Sequence, residues 1–282
     1  MHSSHSEQQA ARKHNVQIIA PPLNDANKPT LILAHGFGCD RQIWEPVARI
    51  LSRHFTLVLF DHMGCGKSDL SEYDPQRYTD LNGYADDLLA LVAELKLEDA
   101  VFVGHSVSGA IGWLASLKSP SAFRQIIAIG PSPRYVNDPP NYYGGFELSD
   151  VEAMIDLMER NHFEWAGYLA PLVIGGEENR PALANELRQT FLNADPLISR
   201  RFAECTFKTD VRIPLSNVKV PSLILYCDED VIVPVEVISF LERCIPGCTI
   251  RKLQASGHYP HMSHPQEVAK AIIEGVQVVD RN

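Results

Sequence analysis

The sequence predicts an α/β protein: a mostly parallel, doubly wound sheet with a helical cap inserted into it. Short apolar, β-rich runs alternate with longer helical patterns along most of the chain, the order expected of strands joined by crossover helices. Most of those runs are apolar on both faces, as strands covered by helices on two sides are. From about Glu147 to Thr206 the alternation stops and only helical patterns remain. The organisation expected is a flexible N-terminal tail over 1–14, a core over 15–146 and 208–282, and the cap over 147–207.

In chain order, Val16 to Ile19 reads as an antiparallel starting strand. The buried strands are then Thr30 to Ala34, Phe55 to Phe60, Ala100 to Val103, Gln125 to Ile129, Ser222 to Tyr226 and Thr249 to Leu253. Leu81 to Leu95 places Tyr84, Leu88, Leu91, Val92 and Leu95 on one helix face. Val107 to Leu117 is small and apolar throughout, as a helix buried beneath a site would be, and Pro265 to Val276 gives the closing helix. Pro171, Gly175-Gly176, Pro181 and Pro196 punctuate the helical stretch. Strands resume near Val220, so the insertion lies over the carboxyl edge of the sheet, where open α/β sheets bind ligands.

A chain of 282 residues, 45% hydrophobic and 21% charged, suits one large domain with an insertion better than two independent domains. The net charge of -10 and the lack of any basic cluster argue against nucleic acid or an anionic membrane as partner. Met1 to Gln9 is polar, unlike a signal peptide, and every apolar run is strand-sized. Cysteines 39, 65, 205, 227, 244 and 248 form no CxxC pair and read as buried free thiols, in keeping with a cytoplasmic protein.

The chemistry gathers around Val101-Phe102-Val103-Gly104-His105-Ser106-Val107-Ser108-Gly109. A serine hydroxyl needs a base to take its proton and donors to hold the oxyanion that develops. A strand, a sharp turn and a helix lift such a serine out of a sheet, and tiny neighbours let the turn close. Ser106 stands in that context, although Ser108 replaces the usual second glycine; serine is small and Gly109 follows. The base expected is His258, in Ser256-Gly257-His258-Tyr259-Pro260 after the last strand. Glycine before it frees the backbone to turn into the site. His261 and His264 lie close by, but nothing specifies a further metal ligand, so neither metal nor cofactor is expected. The acid is assigned to Asp230 in Asp230-Val-Ile-Val-Pro234, with Asp228 as the alternative. The order Ser106, Asp230, His258 differs from the orders of the two serine-protease classes.

The oxyanion donors expected are the backbone N–H groups of Val107 and of Phe37 in His35-Gly36-Phe37-Gly38. Asp61-His-Met-Gly-Cys-Gly-Lys-Ser68 ends like a phosphate-binding loop, but Asp61 stands where that loop requires its first glycine. A structural turn is the reading that remains.

Gly104-His-Ser-Val-Ser108, Gly130-Pro-Ser-Pro-Arg-Tyr-Val-Asn-Asp138, Tyr143-Gly-Gly-Phe146, Ala170-Pro-Leu-Val-Ile-Gly-Gly176 and His261-Met-Ser-His-Pro265 occur together here. In this combination the chain resembles one subgroup of α/β-hydrolases, the bacterial stress regulator RsbQ and the plant karrikin and strigolactone receptors. The resemblance runs from about Phe37 to Pro265 and includes the cap. It implies the α/β-hydrolase fold, a four-helix cap over an apolar pocket, and slow hydrolysis of a small ester or butenolide-type lactone. It also implies ligand perception through a protein partner, phosphatase-like in bacteria. Carried over position by position, the pocket would include Phe37, Phe146, Trp165, Leu169, Leu187 and Phe207. The receptors tend to carry aromatics where this chain has Leu169 and Leu187, so ligand identity does not transfer. The alternative is an ordinary cofactor-free esterase, carbon–carbon bond hydrolase or perhydrolase without a signalling role.

Overall fold

Seven strands pair in the order β1-β3-β2-β4-β5-β6-β7 in the computed structural model, which describes residues 9–21, 28–175 and 180–277. They are β1 (Gln17–Ile19), β2 (Leu31–Ala34), β3 (Leu57–Phe60), β4 (Ala100–His105), β5 (Phe123–Ile129), β6 (Ser222–Tyr226) and β7 (Thr249–Lys252). β1 runs antiparallel to β3, Gln17 facing Leu59, and all other pairs are parallel. Every residue of β2, β3 and β4 is buried, which is why these runs carry no polar face. β4 extends two residues past the expected Val103, carrying strand geometry up to the residue before Ser106.

The helices are α1 (Gln9–Lys13), α2 (Glu45–Leu51), α3 (Leu81–Glu94), α4 (Val107–Lys118), α5 (Leu148–Arg160), α6 (His162–Ile174), α7 (Pro181–Leu192), α8 (Pro196–Phe207), α9 (Val235–Cys244), α10 (Pro260–Ser263) and α11 (Pro265–Gln277). α3 packs on α4, and α2 on α11. Trp113 of α4 donates its ring N–H to Ser222 Oγ of β6 at 3.2 Å, so the buried indole stays paired. Each fully buried Leu, Ile or Val side chain of the sheet contributes about 1.5–3 kcal/mol against leaving it in water.

α5 to α8 fill the interval between β5 and β6, and no strand interrupts them among the described residues. Asn161 caps α6 by accepting from Glu164 N–H, and Asp195 caps α8 by accepting from Leu197 and Ile198 N–H. Where the chain enters and leaves this helical unit, the two crossings are joined: Val211 N–H donates to Pro133 O at 2.9 Å and Arg134 pairs with Asp210 at 2.8 Å. Gly176, one of the expected cap breakers, lies outside the described residues.

The expected flexible tail over 1–14 is corrected for its last six residues. The N–H groups of Ala10 and Ala11 donate to the Glu94 carboxylate of α3 at 2.7 and 2.8 Å, so a carboxylate caps the helix that begins at Gln9. Lys13 pairs with buried Asp87, and His14 is itself buried beside that carboxylate. Residues 1–8 lie outside the described residues. Among the described residues no helix is long and apolar enough to cross a membrane. The six cysteines are free thiols.

Asp61 explains the turn after β3. Its carboxylate accepts from Arg41 N–H, Lys67 N–H and the Asn15 amide at 2.7, 2.9 and 2.7 Å. An added Cβ at Gly66 would lie 2.5 Å from that carboxylate. The segment is a closed structural turn.

Candidate active site

Ser106 follows the last residue of β4 with φ 56° and ψ -122°, a backbone state that costs a non-glycine residue about 1–3 kcal/mol. The bend is held by Ser106 N–H donating to Ile129 O of β5 at 2.8 Å. Two glycines make it sterically feasible. A Cβ at Gly104 would lie 2.7 Å from the Ser108 backbone, and one at Gly109 would lie 2.7 Å from Pro131. The close approaches therefore fall at 104 and 109, which leaves room for a side chain at 108.

His258 and Asp230 arrive from the carboxyl ends of β7 and β6. His258 Nε2 lies 2.8 Å from Ser106 Oγ, and its Nδ1 lies 2.7 Å from Asp230 Oδ2. Asp230 Oδ1 accepts from Ile232 and Val233 N–H at 2.8 and 3.1 Å, so the carboxylate is aimed by its own turn. The His258 and Asp230 side chains are each only 4% exposed, which strengthens their interaction. The alternative acid, Asp228, is half exposed and pairs with Lys252. The main chain of His258 is held on both sides: its N–H donates to Val173 O of α6 at 2.7 Å, and its O accepts from His105 Nε2 at 2.8 Å. Gly130, at φ 54°, opens space for the pair; a Cβ there would lie 3.2 Å from Asp230 Oδ2 and 3.3 Å from His258 Nδ1.

Phe37 lies on the loop leaving β2, and Val107 is the first residue of α4. Among the described residues neither backbone N–H is taken by an acceptor in the chain. The N-terminus of α4 adds its partial positive charge beside Ser106.

The ring of Phe37 lies 6.0 Å from Trp165, 5.7 Å from Phe202 and 5.4 Å from Phe207, centroid to centroid. The structure thus brings Phe37, Trp165 and Phe207 together, and adds Phe202, which the sequence reading did not include. Leu169 and Leu187 are buried on α6 and α7, while half-buried Phe146 stands outside this ring cluster. Tyr135 was also missed: its hydroxyl lies 3.4 Å from Ser106 Oγ, and its ring meets Phe207 at 5.2 Å. Burial raises the Tyr135 hydroxyl above the usual phenol range and keeps it protonated, despite the hydrogen bond with Ser106.

Behind His258 lies a buried aromatic group with no predicted role. His261 is fully enclosed, with ring centroids 4.7 Å from Trp44 and 4.4 Å from His105, and neither of its nitrogens has a hydrogen-bond partner among the described residues. Burial, then the nearby His258, pushes His261 down to about 3. His264 instead bonds Ser263 and Arg180. Among the described residues no group of three or more metal-ligating side chains gathers.

The alpha/beta hydrolase family model matches residues 31–271. The Karrikin insensitive 2 receptor CA of Petunia hybrida is 35% identical over 93% of this chain and 95% of its own length. Strigolactone esterase D14 of Arabidopsis thaliana is 37% identical over 85% of this chain and 89% of its own length. A solved hydrolase structure from Oleispira antarctica superposes with a TM-score of 0.91 at 35% identity, covering 96% of this chain and 97% of that one. The chain belongs to the alpha/beta hydrolase family, in the company of the strigolactone esterases and karrikin insensitive receptors.

Proposed function

We propose that this protein is a serine hydrolase that opens a small apolar ester or butenolide-type lactone through an acyl-enzyme on Ser106, and that ligand perception by a protein partner is its biological use. The observation that carries the chemical half is the unbroken chain from Ser106 Oγ to His258 to Asp230, at 2.8 and 2.7 Å. Asp230 holds the proton of His258 on Nδ1, which leaves Nε2 to take the Ser106 proton as Oγ attacks the carbonyl carbon. The oxyanion forms against the N–H groups of Phe37 and Val107. As the carbonyl re-forms, the carbon–oxygen bond to the leaving group breaks and His258 returns its proton to that oxygen. Water, deprotonated by the same nitrogen, then releases the acyl group and regenerates Ser106.

Phe37, Trp165, Phe202 and Phe207 form an apolar ring cluster, which suits an apolar ligand. Leu169 and Leu187 supply aliphatic walls, and Phe146 belongs to the rim. The signalling half is supported by the similarity to a karrikin receptor and a strigolactone esterase along most of the chain, cap included. A phosphatase-like partner is the bacterial form of that role. The free thiols support a reducing, cytoplasmic setting.

Replacing Ser106 with Ala tests the chemistry. Turnover of p-nitrophenyl acetate is expected to fall by about 10³–10⁶-fold, and undiminished hydrolysis overturns the assignment. A pull-down with and without a butenolide tests the perception role. A partner captured only with ligand supports it; a partner-free result across wild type and Ser106→Ala favours a plain esterase.

A further inference from the structure

Ser108 occupies the place where the elbow motif usually has glycine, yet no part of its side chain is idle. It is fully buried, and its hydroxyl has two partners: His35 O at 2.5 Å and His62 Nε2 at 2.7 Å. A carbonyl only accepts, so the single hydroxyl proton goes to His35 O. The hydroxyl oxygen then accepts from His62, which fixes that ring with its proton on Nε2. His62 N–H in turn donates to His35 Nε2 at 3.0 Å. His35 therefore carries its proton on Nδ1 and donates it to Gly36 O at 2.8 Å. Burial holds both rings below the usual histidine range and so neutral, as this pattern requires.

The last bond reaches the chemistry. Gly36 C=O and Phe37 N–H belong to one planar peptide, so fixing the carbonyl at one end fixes where the N–H points at the other. The loop has little slack: a Cβ at Gly36 would lie 2.5 Å from His105 Nδ1 and 3.3 Å from Ser106 Cβ. We propose that Ser108 is a positioning residue, whose hydroxyl acts with His62 to lock the His35-Gly36 backbone and aim Phe37 N–H at the oxyanion. The serine in the motif is then a tie between the nucleophile's helix and the oxyanion loop, made by the two elements that must agree on where the carbonyl sits. This inference rests on the acyl-transfer reading of Ser106.

The test uses Ser108→Ala, His62→Leu and the double variant, with p-nitrophenyl acetate and its thiono analogue, in which sulfur replaces the carbonyl oxygen. Sulfur accepts poorly from N–H donors, so the oxygen-to-sulfur rate ratio reads the oxyanion contact itself. Each single variant is expected to lose about 10–100-fold in kcat with KM within about threefold, since removing an oxyanion donor outright costs about 10²–10³-fold. The oxygen-to-sulfur ratio should shrink by a similar factor, and the double variant should be no worse than the worse single one. A merely structural defect would lower both substrates equally and leave the ratio unchanged, which overturns the proposal. So does a His62→Leu variant within twofold of wild type, whatever the fate of Ser108→Ala. A fluorophosphonate label on wild type separates the two readings: no label on Ser106 sinks the acyl-transfer reading itself, whereas a labelled Ser106 with an unchanged ratio sinks only the role of Ser108.

Discussion

At the carboxyl edge of the sheet Ser106, His258 and Asp230 each have a fixed polar partner, whereas the cap side chains that meet Phe37 are rings. Asp230 is aimed by two backbone N–H groups, and His258 is held through both its side chain and its main chain. Across from them Trp165, Phe202 and Phe207 touch Phe37 through ring contacts, and the indole N–H of Trp165 has no hydrogen-bond partner among the described residues. Hydrogen bonds are lost over a few tenths of an ångström, while apolar packing follows volume and tolerates exchange. The edge should therefore set the rate for every substrate alike, and the cap should set which substrate is preferred.

The largest effect that would break this division is expected at the acid. Asp230→Asn removes the group that keeps the His258 proton on Nδ1, and kcat should fall by about 10³–10⁴-fold. Assayed on p-nitrophenyl acetate, butyrate and hexanoate, the loss should be the same for all three. Unequal losses would mean that the edge also selects substrates.

A smaller effect is expected on the cap side. Trp165→Leu removes ring volume beside Phe37 without touching a hydrogen bond. The hexanoate-to-acetate ratio of kcat/KM should rise by about tenfold, the scale on which a pocket senses added methylenes. Acetate turnover itself should stay within about threefold. If all esters slow together, the ring supports the catalytic groups and the division fails.

The smallest effect on activity sharpens the comparison from behind the site. His261 packs like an apolar ring, so His261→Phe should leave turnover near neutral pH within about twofold. Its effect should appear in stability instead. The histidine is pushed down to about 3 in the folded protein, against about 6.5 in the unfolded chain. Between those values the unfolded chain binds the extra proton, so stability rises with pH there and is lost on acidification. Thermal melts from pH 7 to 4 should fall less steeply for His261→Phe than for wild type. Parallel curves would show that this ring does not contribute to acid unfolding.

The same two regions differ in how far the sequence revealed them. That Ser106, Asp230 and His258 come together was legible because each sits in a short local pattern: a strand, then a turn, then a few diagnostic residues. The strands were legible for the same reason, their apolar runs being continuous. Phe202 and Tyr135 were not, because they meet Phe37 and Ser106 across long stretches of chain and carry no local signal. In the sequence the short polar segment 9–14 looks like a tail; Glu94 and Asp87, far along the chain, are what hold it. In the sequence Ser108 is only a small residue in place of glycine. Only the fold brings His35 and His62 to its hydroxyl.

The hydrogen bond from His258 N–H to Val173 O has a mechanical corollary. It hangs His258 from the final turn of α6, the same helix that presents Trp165 and Leu169. A hinge that raised α6 as a rigid roof would have to snap this strut or drag the imidazole off Ser106.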